Sequence, residues 1–272
     1  MEPWQAALLG LVEGLTEYLP VSSTAHLLLA QRAMGMPQNT TANAFAICIQ
    51  LGAILAVFAL YRQRLAQVAL GAVGRDVAGR RLLINLVVAF VPAAAIGKLF
   101  DEPIERVLYG LWPVVFAWFV GGLFLLWLAR RKLATPGIGL EALGIASAVI
   151  IGLCQCAALW PGVSRSLATM AAGLLCGLSL AAAIEFSFLL GLLTLGAATM
   201  YKGLQQGSSL FETYGALNLM IGLAVAFVSA WVSVRWMVRS LNARTLAFFG
   251  WYRMGLAILV ALLITRGLLE VN

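Results

Sequence analysis

The chain has 272 residues, of which 62% are hydrophobic and only 11% charged, with a net charge of +7 and a mean hydropathy of +0.95. An average soluble domain is roughly 45–50% apolar and about 25% charged. The gap excludes an ordinary soluble enzyme, a disordered chain and a nucleic-acid-binding domain, because the basic residues fall at the ends of apolar runs and not in one soluble patch.

A membrane-spanning helix needs about 20 mostly apolar residues. The first apolar region, 3–34, is broken by Glu13, Glu17, Pro20 and the cluster Ser22-Ser23-Thr24. It reads as two short helices around a polar turn, a re-entrant hairpin, because irregular backbone at membrane depth must be buried in protein or line a wet cavity. Residues 41–61, 82–100 and 111–129 follow as spans. The region 140–178 is broken at Trp160-Pro161-Gly162 and reads as a second re-entrant hairpin. Residues 183–201, 215–237 and 246–265 complete six spans. A full span kinked at proline is the other solution for each broken region. Met1-Glu2-Pro3-Trp4 carries no positive n-region, so no cleavable signal is expected. Cys48, Cys154, Cys156 and Cys176 all lie in apolar stretches and read as buried small hydrophobes, not disulfide or metal partners.

Basic residues set the orientation. Arg62, Arg64, Arg75, Arg80 and Arg81 follow the first span, Arg130, Arg131 and Lys132 follow the third, and Arg235, Arg239 and Arg244 precede the last. These ends are expected on the cytoplasmic side. The opposite loops hold Asp101, Glu102, Glu105 and Arg106, then Lys202 and Glu212. Both termini and the first hairpin then face outside, while the second hairpin enters from the cytoplasm. The halves also resemble each other. Gly10-Leu11-Val12-Glu13 before Pro20 matches Gly152-Leu153-Cys154-Gln155 before Pro161. Pro20 stands 41 positions before Tyr61, and Pro161 stands 40 before Tyr201. Each half is one hairpin plus three spans, and an odd number of spans forces opposite topology. The expected fold is an all-α integral membrane protein in one domain, 1–272. It is an inverted-topology repeat of six transmembrane helices plus two re-entrant helical hairpins, with repeat one over about 1–132 and repeat two over about 140–272.

Ionisable groups inside membrane segments cost at least about 2.5–3.5 kcal/mol each, so they are functional candidates. Here they are Glu13, Glu17, His26, Arg165 and Glu185, with Lys98 and Arg253 at the margin. Glu13 and Glu17 share one helical face and need a cation, a proton or an arginine between them. A divalent metal with oxygen ligands satisfies both. His26, the single histidine, lies one helical turn from both Ser22 and Ser23, a spacing suited to acid/base work on a serine or a leaving oxygen. Arg165, between Ser164 and Ser166 and near a helix start, suits a phosphate clamp, with Thr169 as a further donor. It could equally neutralise Glu13 or Glu17. Glu185 reads as a hydrogen-bonding group across the repeat interface. The tryptophans read as interfacial belt or packing groups. Together these groups suit an anionic phosphate or pyrophosphate headgroup on a lipid tail.

At these residues the chain resembles the bacterial undecaprenyl pyrophosphate phosphatase, or bacitracin-resistance, family. One motif runs from Glu13-Gly14-Leu15-Thr16-Glu17 through Pro20-Val21-Ser22-Ser23-Thr24-Ala25-His26, and the other from Trp160-Pro161-Gly162-Val163-Ser164-Arg165-Ser166 to Thr169. Ile49-Gln50-Leu51-Gly52, Val91-Pro92-Ala93 and Glu185-Phe186-Ser187-Phe188-Leu189-Leu190 extend the match along the chain.

The resemblance implies a membrane phosphatase that converts undecaprenyl pyrophosphate to undecaprenyl phosphate and inorganic phosphate, recycling the carrier for cell-wall glycans. It implies a divalent cation, Mg²⁺ or Ca²⁺, and a bacterial cytoplasmic-membrane site open to the outer face. Carried over, Ser23 is the nucleophile and His26 its acid/base partner. Glu13 and Glu17 hold metal or activate the nucleophile. Arg165, Ser164, Ser166 and Thr169, with Ser22 and Thr24, bind pyrophosphate. Attack by Ser22 or by metal-bound water stays open. A homodimer is compatible with this reading. A flippase of undecaprenyl phosphate is the alternative that the inverted-repeat architecture allows. Three residues depart from the family pattern: Ala25 and Leu167 stand where glycine is usual, and Leu180 where arginine often follows Gly177-Leu178-Ser179.

Overall fold

The computed structural model describes residues 1–37, 40–131 and 137–269. Lys132 lies outside the described residues, as do the side chains of Asp101 and Glu105. Among the described residues the chain is helical apart from short turns, with one isolated bridge between Ile138 and Leu178.

The helices are α1 (Pro3–Thr16), α2 (Ser23–Ala33), α3 (Thr40–Leu60), α4 (Arg62–Ala72), α5 (Val77–Leu108), α6 (Leu111–Arg130), α7 (Ile145–Cys156), α8 (Arg165–Leu175), α9 (Leu180–Ser240) and α10 (Ala243–Thr265). Six helical stretches are long and apolar enough to cross a membrane: Thr41–Leu60, Val77–Phe100, Leu111–Arg130, Leu180–Gln205, Ser209–Ser240 and Ala243–Thr265. They match the six expected spans, and the protein is a multi-pass membrane protein. Several ends differ. The second span begins earlier, at Val77, because the Asp76 carboxylate caps α5 by accepting from Gly79 N at 2.7 Å. Beyond Phe100, whose φ of −122° kinks the helix, α5 continues to Leu108. The fourth and fifth spans are one helical run, interrupted at Gly215 with φ 72°. The basic stretch expected as a loop contains α4, which lies against the start of α5.

Neither α1 nor α2 reaches the length needed to cross a bilayer, and the same holds for α7 and α8. The two helix pairs pack in a reciprocal way. From the first half, α1 lies on α9 so closely that a Cβ on Gly10 would collide with the Gly222 carbonyl. From the second half, α7 lies on α5, and a Cβ on Gly152 would collide with Ala89. Gly10 and Gly152 are the matched positions of the two half-sequences. Small residues of this kind let helix backbones approach inside a membrane. α6 and α10 pack against each other. At one end of the bundle Arg64 donates to Glu185 at 2.6 Å and to Glu141 at 3.1 Å. Glu185 thus bonds across the two halves, in the structural role read from its isolation.

Candidate functional site

The turns of the two hairpins meet inside the bundle. Ser22 and Ser164 are the N-caps of α2 and α8. They are also the two non-glycine residues with positive φ, at 72° and 78°, among the described residues. Ser22 Oγ accepts from Gly162 N at 3.0 Å, and Ser166 Oγ donates to Leu19 O at 2.8 Å, so each hairpin holds the other. The fully buried Arg253 of α10 ties both turns to α6. Its guanidinium donates to Pro20 O at 3.0 Å, Gly162 O at 2.7 Å, Val163 O at 3.1 Å and Ala117 O at 3.0 Å, and Nε to Trp118 O at 3.4 Å.

Three reactive groups form a chain on this frame. Ser23, the first residue of α2, donates its hydroxyl proton to Glu17 Oε2. The other oxygen, Oε1, accepts from Arg165 Nη2 at 2.9 Å. Arg165 Nη1 donates to Ser187 O at 2.8 Å, and its Nε meets no acceptor. The guanidinium lies over the Tyr18 ring, 5.3 Å from the centroid, within cation–π range. Arg165 is the first residue of α8, where backbone N–H groups lack intrahelical partners.

Ser23, Glu17 and Arg165 line a cavity of about 450 Å³. Ser22, Thr24, Gln50, Gln155 and Ser164 also line it. Phe90, Ala93, Ala94, Leu159, Leu195 and Ala198 give it an apolar wall, and Lys98, Tyr109, Tyr201 and Lys202 line it as well. Polar donors together with an apolar wall fit an anionic headgroup carrying a hydrocarbon chain.

The family model described as bacitracin resistance protein BacA matches residues 6–259. The chain belongs to the BacA family. It is 44% identical over 261 residues to a protein of Sorangium cellulosum named undecaprenyl-diphosphatase, covering 94% of this chain and 85% of that one. It is 40% identical to undecaprenyl-diphosphatase 1 of Chromobacterium violaceum, over 94% of both chains. It is 41% identical to undecaprenyl-diphosphatase 2 of Rhodospirillum rubrum, over 98% of this chain and 96% of that one.

Not every residue expected at this BacA site reaches the cavity in the expected way. His26 turns from the serine hydroxyls. Its Nδ1 bonds the Ser22 carbonyl at 2.7 Å and its Nε2 the Tyr252 hydroxyl at 2.9 Å, while the ring stacks on Tyr252. The group on Ser23 is therefore Glu17. Ser166 and Thr169 are buried behind Arg165 and do not line the cavity. Thr169 donates to the Arg165 carbonyl at 2.9 Å and bonds Ser187 Oγ at 2.7 Å, so it supports the clamp. Ser164 does line the cavity, and its hydroxyl also caps Leu167 N at 3.3 Å.

Glu13 is completely buried, and neither of its carboxylate oxygens meets a donor. Glu17, Arg165 and Gln50 are its electrostatic neighbours. Among the described residues no three His, Cys, Asp or Glu side chains gather as a metal site. Two carboxylates and an amide oxygen still suit a hard cation that takes its remaining ligands from phosphate and water. The orphaned Glu13 oxygens therefore fit such an ion.

Four contributors escaped the sequence reading: Gln155, Tyr18, Ser187 and the turn-binding role of Arg253. Gln155 occupies the position matched to Glu13, and that alignment was the available signal. The others act through contacts between distant segments, which spacing does not encode.

Proposed function

We propose that this cavity hydrolyses undecaprenyl pyrophosphate to undecaprenyl phosphate and inorganic phosphate, returning the lipid carrier to cell-wall synthesis. The relatives named undecaprenyl-diphosphatase support the activity. The observation that carries the residue roles is the Ser23–Glu17–Arg165 chain in the lining of an apolar-walled cavity.

Glu17 takes the Ser23 proton as Oγ bonds to the distal phosphorus. The bridging P–O bond breaks, and its electron pair leaves with undecaprenyl phosphate. Arg165 and the start of α8 balance the charge on the transferring phosphoryl oxygens. Water then attacks the Ser23 phosphoester. Glu17 returns its proton to Oγ, and the water protons leave with inorganic phosphate. A divalent cation, Mg²⁺ or Ca²⁺, held by Glu13 and Glu17 would polarise the phosphoryl oxygens. Ser22, Thr24 and Ser164 orient the headgroup.

The reading also takes the fold as an inverted repeat with two re-entrant hairpins, supported by the reciprocal packing of α1 and α7. It places the protein in the bacterial inner membrane. The arginine-rich end at Arg64 and Arg81 faces the cytoplasm. Lys98 and Lys202, which also line the cavity, lie at the opposite ends of their spans, and the reading has the cavity open on that outer side.

The test is phosphate release from a long-chain polyprenyl pyrophosphate by purified protein in detergent, with Mg²⁺, with Ca²⁺ and with chelator. Release that needs the cation and is lost in Ser23→Ala and Arg165→Ala is expected. Acid-stable phosphate on Ser23 after quenching marks the covalent step. Release at the wild-type rate by both variants overturns the site.

A further inference from the structure

Four consecutive carbonyls run through the turn between α1 and α2, and each meets a polar side chain. Leu19 O accepts from Ser166 Oγ of α8 at 2.8 Å. Pro20 O accepts from Arg253 Nη1 of α10 at 3.0 Å. Val21 O accepts from Trp118 Nε1 of α6 at 2.9 Å. The fourth, Ser22 O, bonds His26 Nδ1 at 2.7 Å. His26 belongs to α2, the helix that this turn starts. It ties Ser22 to the rest of the bundle only through groups outside α2 that hold its ring. Trp118 meets the ring edge-on, with centroids 5.1 Å apart. Tyr252 of α10 supplies a polar contact. Its hydroxyl bonds His26 Nε2 at 2.9 Å, and the two rings are parallel to within 2° with centroids 5.8 Å apart.

A carbonyl oxygen only accepts, so His26 Nδ1 carries a hydrogen. In the neutral imidazole Nε2 then holds the lone pair, and the Tyr252 hydroxyl donates to it. The hydroxyl thus selects the tautomer that keeps Nδ1–H on Ser22 O. The peptide bond is planar, so a held Ser22 carbonyl also holds Ser23 N and Cα, the root of the reactive hydroxyl. Backbone strain alone does not call for this device. Ser164 holds φ 78° in the matched turn. The backbone bond is present in both turns, from His26 N to Ser22 O at 3.3 Å and from Ala168 N to Ser164 O at 3.0 Å. Ala168 follows Ser164 at the same interval as His26 follows Ser22, and it has no polar side chain. The imidazole and its tyrosine therefore serve the hairpin that carries Ser23, and the hairpin that carries Arg165 does without them.

We propose that Tyr252 is a positioning residue for the reaction at Ser23, acting through His26 on the Ser22 carbonyl. The inference rests on the phosphatase reading. Neither Tyr252 nor His26 lines the cavity. Loss of the tyrosine hydroxyl therefore leaves headgroup binding in place and loosens the aim of Ser23 Oγ at phosphorus. Misplacing a reacting group by 1 Å can cost about 10²-fold in rate. This turn stays held at Leu19, Pro20 and Val21, so the loss is smaller than that.

The experiment compares wild type, Tyr252→Phe, His26→Phe and the double variant, purified in detergent without a histidine tag. Phenylalanine at 252 removes the hydroxyl alone, and at 26 it keeps a ring without nitrogens. Phosphate release gives kcat and KM for a long-chain polyprenyl pyrophosphate, beside the unfolding temperature. Nitrogen-15 histidine NMR reads His26 directly, because it is the single histidine of the chain. Wild type is expected to show Nδ1 protonated and Nε2 bare. In Tyr252→Phe the Nε2 signal moves as its donor is lost, and kcat falls about three- to tenfold. KM and unfolding temperature hold. In the His26→Phe background the same change leaves kcat within about twofold. The Tyr252→Phe comparison and the NMR decide without that background if His26→Phe does not fold. Wild-type kcat in Tyr252→Phe overturns the positioning role. An equal loss of kcat in both backgrounds overturns it too, since the hydroxyl would then act without the imidazole. So does wild type with Nε2 protonated and Nδ1 bare. A loss of kcat with raised KM and lowered unfolding temperature marks a merely structural tyrosine and also overturns it. Absence of turnover in well-folded wild type overturns the phosphatase reading and takes this role with it.

Discussion

Ser22 and Ser164 hold nearly the same left-handed backbone, φ 72° and 78°, and each caps the second helix of its hairpin. A side chain is rarely found there, and such a conformation costs about 1–3 kcal/mol unless its surroundings enforce it. Here the enforcement comes from the opposing hairpin, through Gly162 N on the Ser22 hydroxyl and Ser166 on the Leu19 carbonyl. Both turns thus point the first residue of the next helix, Ser23 or Arg165, at one place. Ser22→Val is expected to lose about 1–3 kcal/mol, because a β-branched residue resists positive φ. Ser22→Gly should lose less, since glycine accepts the backbone and only the hydroxyl contact disappears. Thermal unfolding in detergent ranks the two. Equal losses would mean that the hydroxyl, not the backbone, dominates at this turn.

Glu17 bonds both Ser23 and Arg165, whereas the ring nitrogens of His26 are engaged by Ser22 O and Tyr252. Glu17→Gln keeps the shape and removes the base. It should lower kcat by about 10²- to 10⁴-fold, the usual worth of a positioned general base. His26→Gln should lower it far less, since glutamine retains polar contacts for the turn and for Tyr252. Steady-state phosphate release separates them. A larger loss from His26→Gln would return the acid/base role to the histidine.

Much of this was legible in the chain. Six apolar runs are long enough to cross a bilayer, and the polar breaks at Pro20 and Pro161 mark the hairpins, because the cost of buried polarity filters what a membrane segment contains. The same filter singled out Glu13, Glu17, His26 and Arg165. Sequence spacing then failed at direction. Ser22 and Ser23 both lie one turn from His26, yet the positive φ of Ser22 turns the chain so that Ser23 meets Glu17. The helix α4 was hidden because its face is polar and it crosses nothing. Arg253 was visible as a charge in an apolar helix, but its five carbonyl partners come from three distant segments.

The reciprocal hairpin packing has its own test. Gly10→Ala and Gly152→Ala each drive a methyl group into a facing backbone, at Gly222 and at Ala89. Neither backbone can move aside without separating helices, and overpacking of this kind costs about 1–3 kcal/mol. Gly255 lies on α10 with open space around it, and Gly255→Ala should stabilise by about 0.5–1 kcal/mol. Opposite signs in unfolding temperature are expected between the first two variants and the third. Neutral behaviour of Gly10→Ala would mean that α1 does not pack this tightly on α9.

Arg253 combines full burial with five carbonyl acceptors and, among the described residues, no carboxylate partner. The charge is solvated by backbone dipoles from both turns and from α6, in place of water. Arg253→Met fills similar space but leaves several acceptors unsatisfied, each worth about 1–3 kcal/mol. A loss of at least about 3 kcal/mol is expected from that group as a whole. Arg253→Lys keeps the charge but has only three donors on one atom, so it cannot span Pro20, Gly162 and Ala117 together. It should fold and bind lipid pyrophosphate, with kcat reduced more than KM is raised, because the turns that aim Ser23 and Arg165 relax apart. Unfolding temperature and the kcat-against-KM split measure both effects. A methionine variant as stable and as fast as wild type would show that the two turns hold each other without this guanidinium.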